Sequence, residues 1–98
     1  MSFGADPSIY DNNGHQTHCV GIICAQNNNK GMVGVAPKSK ALCIKGLADN
    51  GSGTYNGLIK ALQFCIEQEP DIVSMSLGGG APSAQMHGKI QKLTDMGI

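Results

Sequence analysis

Ala41-Leu42-Cys43-Ile44-Lys45-Gly46-Leu47 and Asp71-Ile72-Val73-Ser74-Met75-Ser76-Leu77 decide the fold, because a single helical period separates them. Each is a short, mostly apolar run bounded by turn residues, the pattern of a strand buried on both faces. From Thr54 to Gln68, Leu58, Ile59, Leu62, Cys65 and Ile66 fall on one helical face and Lys60, Gln63 and Glu67 on the other. Pro70 ends that helix and Gly78-Gly79-Gly80 ends the second run. Strand, crossover helix and strand predict an α/β fold built on a right-handed parallel βαβ unit. A third helix carries Met86, Ile90 and Leu93. With two main strands and about three helices the sheet is incomplete, since parallel sheets need neighbours and cover on both faces.

Upstream, residues 1–14 hold Gly4, Pro7, Asp11, Asn12, Asn13 and Gly14 and read as an irregular leader. A short helix is expected from His15 to Ala25, with Val20, Ile23 and Cys24 at helical spacing and Asn13 or Gly14 as its cap. Asn27-Asn28-Asn29-Lys30-Gly31 breaks it, because Asn and Gly tolerate turn conformations that other residues resist.

Composition narrows the function classes. The 98 residues make one domain at most. Seven Lys plus Arg balance seven Asp plus Glu, which argues against nucleic acid or an anionic membrane surface as partner. No apolar stretch approaches the roughly 20 residues of a membrane span. Charged residues make up 14% against a usual figure of about 25%, and Gly, at 14 of 98, is about twice its normal share, so the chain is expected to be mostly interior and tight loops with little solvated surface of its own. Cys19, Cys24, Cys43 and Cys65 sit singly in apolar runs and read as buried free thiols. The start Met1-Ser2-Phe3-Gly4 is neither basic nor apolar and gives no secretory signal. The expectation is a reduced, cytoplasmic setting, or a secreted one if the chain is part of a longer precursor.

Candidate chemistry concentrates in Asp11-Asn12-Asn13-Gly14-His15-Gln16-Thr17-His18-Cys19-Val20-Gly21, where two histidines open a helix after a turn-rich loop. His15 there reads either as a general base or as a surface imidazole. His18 reads as a core histidine. His15 and Cys19, four apart, share one helical face and could begin a zinc site, but the remaining ligands of a structural shell are not in view. Gly51-Ser52-Gly53 lies between a strand and a helix as in dinucleotide-binding loops. Asn56 stands where their third glycine belongs, and no phosphate-loop Gly-Lys-Ser or Gly-Lys-Thr exists, which argues against a nucleotide.

Four ordered stretches resemble signatures of the subtilisin-like (subtilase) family of serine endopeptidases. They are Asn13-Gly14-His15-Gln16-Thr17-His18-Cys19-Val20-Gly21, Gly31-Met32-Val33-Gly34-Val35-Ala36-Pro37, Asn50-Gly51-Ser52-Gly53 and Ser74-Met75-Ser76-Leu77-Gly78-Gly79. Cys19 after the second histidine is similar to the thiol-containing branch that includes proteinase K. The resemblance implies that residues 1–98 are a fragment of a single peptidase domain with a partial three-layer fold. It implies His15 as the catalytic histidine, moving a proton between a serine hydroxyl and the leaving amine. It implies that Ser76, Leu77 and Gly78 on one side and Gly51, Ser52 and Gly53 on the other hold a polypeptide substrate as an added strand. Tyr55, Leu58 and Leu77 would line a pocket for one of its side chains. Ordinary packing is the other reading of Leu58.

The loop Gln26 to Met32 resembles the family's calcium loop, with the Asn28 side chain and the carbonyls of Gln26, Lys30 and Met32 as oxygen ligands completed by other segments. No cofactor is required for the chemistry; calcium would be a structural ion. Gln16 stands where the family usually has glycine. The family's catalytic Asp, nucleophilic Ser and oxyanion-hole Asn match no position here, because Ser74, Ser76 and Ser83 stand in other contexts and Asp6 and Asp11 lie in the wrong segment. The expectation is a chain inactive alone that self-associates or pairs with the missing part of the domain. The alternative is a non-catalytic peptide-binding or interaction module descended from a subtilase.

Overall fold

The computed structural model describes residues 1–98 and contains three helices: α1 (His15–Cys24), α2 (Tyr55–Gln68) and α3 (Ala84–Asp95). The ends of each follow from local chemistry. Thr54 caps α2 by accepting the Gly57 N–H at 3.1 Å, and Ser83 caps α3 by accepting the Met86 N–H at 3.3 Å. Glu69 turns left-handed at φ 50° just before Pro70, and its N–H closes on the Cys65 carbonyl at 3.0 Å. The end of α1 is finished by the chain that follows it. Gly34, Val35 and Ala36 donate to the carbonyls of Ala25, Ile22 and Ile23 at 2.9, 3.0 and 2.8 Å, filling acceptors a helix end leaves open. Gly34 has to be glycine there, since a Cβ would come within 2.5 Å of the Cys24 and Ala25 nitrogens.

The apolar faces of α2 and α3 meet, burying Leu62, Cys65 and Leu93, with Ile44, Ile66, Val73, Met86 and Ile98 packed around them. Phe3 lies against Phe64 of α2 with ring centroids 5.7 Å apart.

No sheet forms, and the expected α/β fold with a parallel βαβ unit is thereby overturned. The one β-bridge is an isolated parallel pair between Ser2 and Lys45. It consists of Phe3 N–H to Lys45 C=O at 2.8 Å and Lys45 N–H to Met1 C=O at 3.0 Å. The run at 41–47 thus spends its ladder groups on the first residues of the leader, and the run at 71–77 pairs with no strand. Ile44 and Val73 both reach the α2–α3 core, so each run finds cover on one side. A ladder also requires a neighbour about 4.8 Å away and, for parallel strands, cover on the other side. Neither is supplied, and Ile72 is left 82% exposed.

The openness is general. The radius of gyration is 14.2 Å where a domain of this length has about 13 Å. The surface of 7056 Å² exceeds the roughly 5,300 Å² expected of a compact chain of this mass. No helix is long and apolar enough to cross a membrane.

Candidate functional site

His15 is the first residue of α1, and the loop before it is held by one carboxylate. Asp11 Oδ1 accepts the N–H groups of Gly14 and Asn13 at 2.8 and 3.0 Å, while Oδ2 accepts the Thr17 N–H and hydroxyl at 3.0 and 2.6 Å. Asn13 Oδ1 takes the His15 N–H at 3.2 Å. Three open donors at the head of α1 are satisfied in this way, although Gly14, at φ 100°, has no side chain to cap it. These bonds hold the Asp11 carboxyl well below the usual carboxylate range, the Gly14 N–H first and the Thr17 hydroxyl next. Asp11 makes no hydrogen bond to the His15 ring. Its bonds run to backbone and Thr17, so it fixes where the ring starts from instead.

A second polar knot joins this loop to the glycine loop at 51–53. Asn12 Nδ2 donates to Asp49 Oδ2 at 3.1 Å and Asn13 Nδ2 to the Asp49 carbonyl at 2.9 Å. Lys45 Nζ donates to an Asp49 carboxylate oxygen and to the carbonyls of Ser8 and Tyr10 at 3.1 and 3.0 Å. Asp49 N–H donates to Asp6 Oδ2 at 2.8 Å, and Ala48 N–H to the Ser52 carbonyl at 2.7 Å. The Lys45 hydrogen bond is the main cause of the lowered Asp49 pKa, with Asn12 adding to it. One signal of this knot is visible in the sequence: a lysine inside an apolar run with an aspartate four residues later.

The ring of His15 reaches the other side of the site. Its Nε2 lies 2.8 Å from the carbonyl oxygen of Ser76 and 3.9 Å from Cys19 Sγ. Ser76, Leu77 and Gly78 are exposed, as are Gly51, Ser52 and Gly53, and neither segment is part of a strand. Tyr55 is 38% exposed and donates its hydroxyl to the Ala81 carbonyl, tying α2 to the chain just beyond Gly80. Leu77 is 44% exposed; Leu58 is half-buried, with a methyl against Gly46. His15, Ser76 and Cys19 are therefore brought together, and the glycine loop is linked to His15 through Asn13 and Asp49.

Other expectations at the site change. His18 is exposed on α1 with no partner for its ring, because α1 buries no residue at all. Of the four thiols, Cys65 is buried and raised in pKa by that burial, Cys19 and Cys24 are half-buried and Cys43 is exposed. Nowhere do three His, Cys, Asp or Glu side chains converge, so His15 and Cys19 do not become a zinc shell. The loop Gln26 to Met32 is exposed throughout, contains no carboxylate, offers only neutral oxygens and carries Lys30. Asn28 Oδ1 already accepts the Lys30 N–H at 3.2 Å. Carbonyls of Gln26, Lys30 and Met32 with Asn28 make four oxygens, short of the six to eight that calcium takes. The loop by itself does not fit the ion.

The model of the subtilase family matches residues 3–97 of this chain. An intracellular serine protease of Paenibacillus polymyxa is 47% identical over 88 residues, 89% of this chain and 27% of that protein. The major intracellular serine protease of Bacillus subtilis (strain 168) is 38% identical over 96 residues, 97% of this chain and 30% of that protein. Subtilisin Savinase of Lederbergia lenta is 34% identical over 93 residues, 95% of this chain and 35% of that protein. The chain belongs to the subtilase family. It corresponds to a segment of a subtilisin-like serine protease and spans about a quarter to a third of the length of these relatives.

Proposed function

We propose that this chain is the general-base segment of a serine endopeptidase that cuts polypeptides by acyl transfer, with His15 as the proton carrier. One observation carries the reading: the His15 imidazole, exposed at the head of α1, meets the Ser76 carbonyl of the exposed 76–78 segment at 2.8 Å. A base placed beside exposed backbone stands where an extended peptide would lie. In this reading Gly51, Ser52 and Gly53 would form the opposite wall, and Tyr55, Leu58 and Leu77 would offer apolar surface to a substrate side chain. Exposed apolar residues such as Ile22, Val35 and Ile72, at 57%, 89% and 82%, support a partner in the rest of a peptidase domain or in a second copy.

The 98 residues alone do not turn over substrate, since no serine among them stands in the Gly-Thr-Ser context of the family's nucleophile. Incubation with a fluorogenic peptide and with a fluorophosphonate probe is expected to give no product and no label; a labelled serine would overturn this. In the polypeptide isolated from its native source, His15→Ala is expected to lower kcat by about 10²- to 10⁴-fold. An unchanged kcat would leave His15 idle and favour a peptide-binding module.

A further inference from the structure

We infer that Asn50 is a site of self-modification, at which the chain loses a side-chain amide through attack by the Gly51 nitrogen and then by water. Asparagine is among the thermolabile residues. Three of them precede a glycine here, Asn13-Gly14, Asn50-Gly51 and Asn56-Gly57, and a glycine has no side chain to screen its own nitrogen from the residue before it. Hydroxide takes the Gly51 amide proton, the nitrogen bonds to Asn50 Cγ, and the Cγ–Nδ2 bond breaks as ammonia leaves with a proton from water. Water then opens the five-membered imide at either carbonyl. The product is an aspartate at this position, or its isomer with the main chain running through Cβ and Cγ. The sum is amide plus water to carboxylic acid plus ammonia, with no change of oxidation state.

The folded chain treats the three pairs differently. Asn56 and Gly57 lie in the first turn of α2, with Gly57 buried and its N–H on Thr54 Oγ1 at 3.1 Å, so attack there has to unwind the helix. At Asn13-Gly14 every reacting group is held. Asp11 Oδ1 takes the Gly14 N–H at 2.8 Å, the Asp49 carbonyl takes Asn13 Nδ2 at 2.9 Å, and the His15 N–H sits on Asn13 Oδ1 at 3.2 Å. Asp11 is kept ionised by these bonds, and a carboxylate on the Gly14 N–H opposes the loss of that proton. At Asn50-Gly51 the holds are fewer. Asn50 is exposed and its Nδ2, the leaving nitrogen, has no partner. Asn50 Oδ1 accepts the Ser52 N–H at 2.9 Å, which folds the side chain back over the Gly51 peptide. The same N–H meets the negative charge that builds on Oδ1 as the nitrogen adds. The Gly51 N–H is restrained by the neutral Ala48 carbonyl alone, at 2.9 Å. The charge of the product lies beside Asp49, and the isomer adds one atom to the main chain of the glycine loop.

The test is storage of the 98-residue chain in warm, mildly alkaline buffer, then digestion with pepsin in acid and mass spectrometry that localises each exchange of an amide NH₂ for OH. Asn50 is expected to react about 10-fold or more faster than Asn13, with Asn56 slowest. In concentrated urea, where none of these bonds survives, the three rates are expected to converge. Asp11→Ala frees the Gly14 N–H and is expected to bring Asn13 toward the rate of Asn50. Asn50→Ser is expected to abolish the reaction at that position and leave the other two unchanged. A folded chain in which Asn13 reacts as fast as Asn50 overturns the assignment. So does an Asn50 that keeps its amide under conditions where the unfolded chain loses it. Should Asp11→Ala disrupt the loop, the ratio of urea to folded rates at Asn13 in the unaltered chain decides the same point: a ratio near one overturns the protection ascribed to Asp11 and Asp49.

Discussion

The two halves of this molecule are held by different forces. Around α2 and α3, Leu62, Cys65 and Leu93 are 3%, 6% and 4% exposed and nothing polar is buried. Within α1 no residue is buried, and the loop before His15 is moored by carboxylates, amides and the Lys45 ammonium. The first half supplies stability that is indifferent to charge. The second supplies geometry, through bonds whose acceptors can be protonated. A perturbation aimed at one force should therefore separate the halves.

The largest effect is expected from the apolar half. Leu62→Ala or Leu93→Ala removes a buried side chain from a core of three, and such truncations cost about 2 to 5 kcal/mol. For a chain this small that approaches the whole of its stability. Urea titration followed by far-ultraviolet circular dichroism should find the variant helices largely lost without denaturant. If amide exchange at Gly14 and Thr17 accelerates as much as exchange within α2, the halves are one cooperative unit and the contrast collapses.

Acid should act in the opposite order. Asp11 and Asp49 have pKa values lowered below their ordinary 3.8 by bonds that exist only in the folded chain. Their contribution is fully present above that value and is lost as pH falls through the folded ones. Between neutral pH and about pH 4, protection at Gly14 and Thr17 should stay constant. Further acidification should erode it before the α2 amides respond. Asp49→Asn keeps the shape but weakens the Lys45 bond, and should bring faster exchange at Gly14 even at neutral pH. Equal sensitivity of α2 would show that the carboxylates steady the core as well as the loop.

The same division explains what could be read from the residues. All three helices were legible, because helices satisfy their own backbone and announce themselves by apolar period and by caps such as Thr54 and Ser83. The runs at 41–47 and 71–77 carry strand-like apolar character just as plainly, but a strand is completed only by a neighbour, and no pattern internal to a run states whether one exists. At the site, His15 and the 76–78 segment were legible as motifs. The bond between them was not, since it joins residues 61 positions apart. The burial expected for His18 and Cys43 failed for one reason: helical or apolar context marks a face, and the face here has nothing lying on it.

The smallest effect is expected where a family-like loop lacks its chemistry. Saturating one site at a hundred times its Kd adds about 2.7 kcal/mol to stability. In a chain of this size that raises Tm by roughly 10 °C or more. The 26–32 loop offers neutral oxygens, no carboxylate, and the Lys30 ammonium nearby, so millimolar calcium against a chelator should move Tm by less than about 1 °C. Thermal melts in the two buffers decide it. A rise of several degrees would mean that the exposed loop gathers a full oxygen shell unaided, and the α1 half would then be anchored by an ion as well as by Asp11 and Asp49.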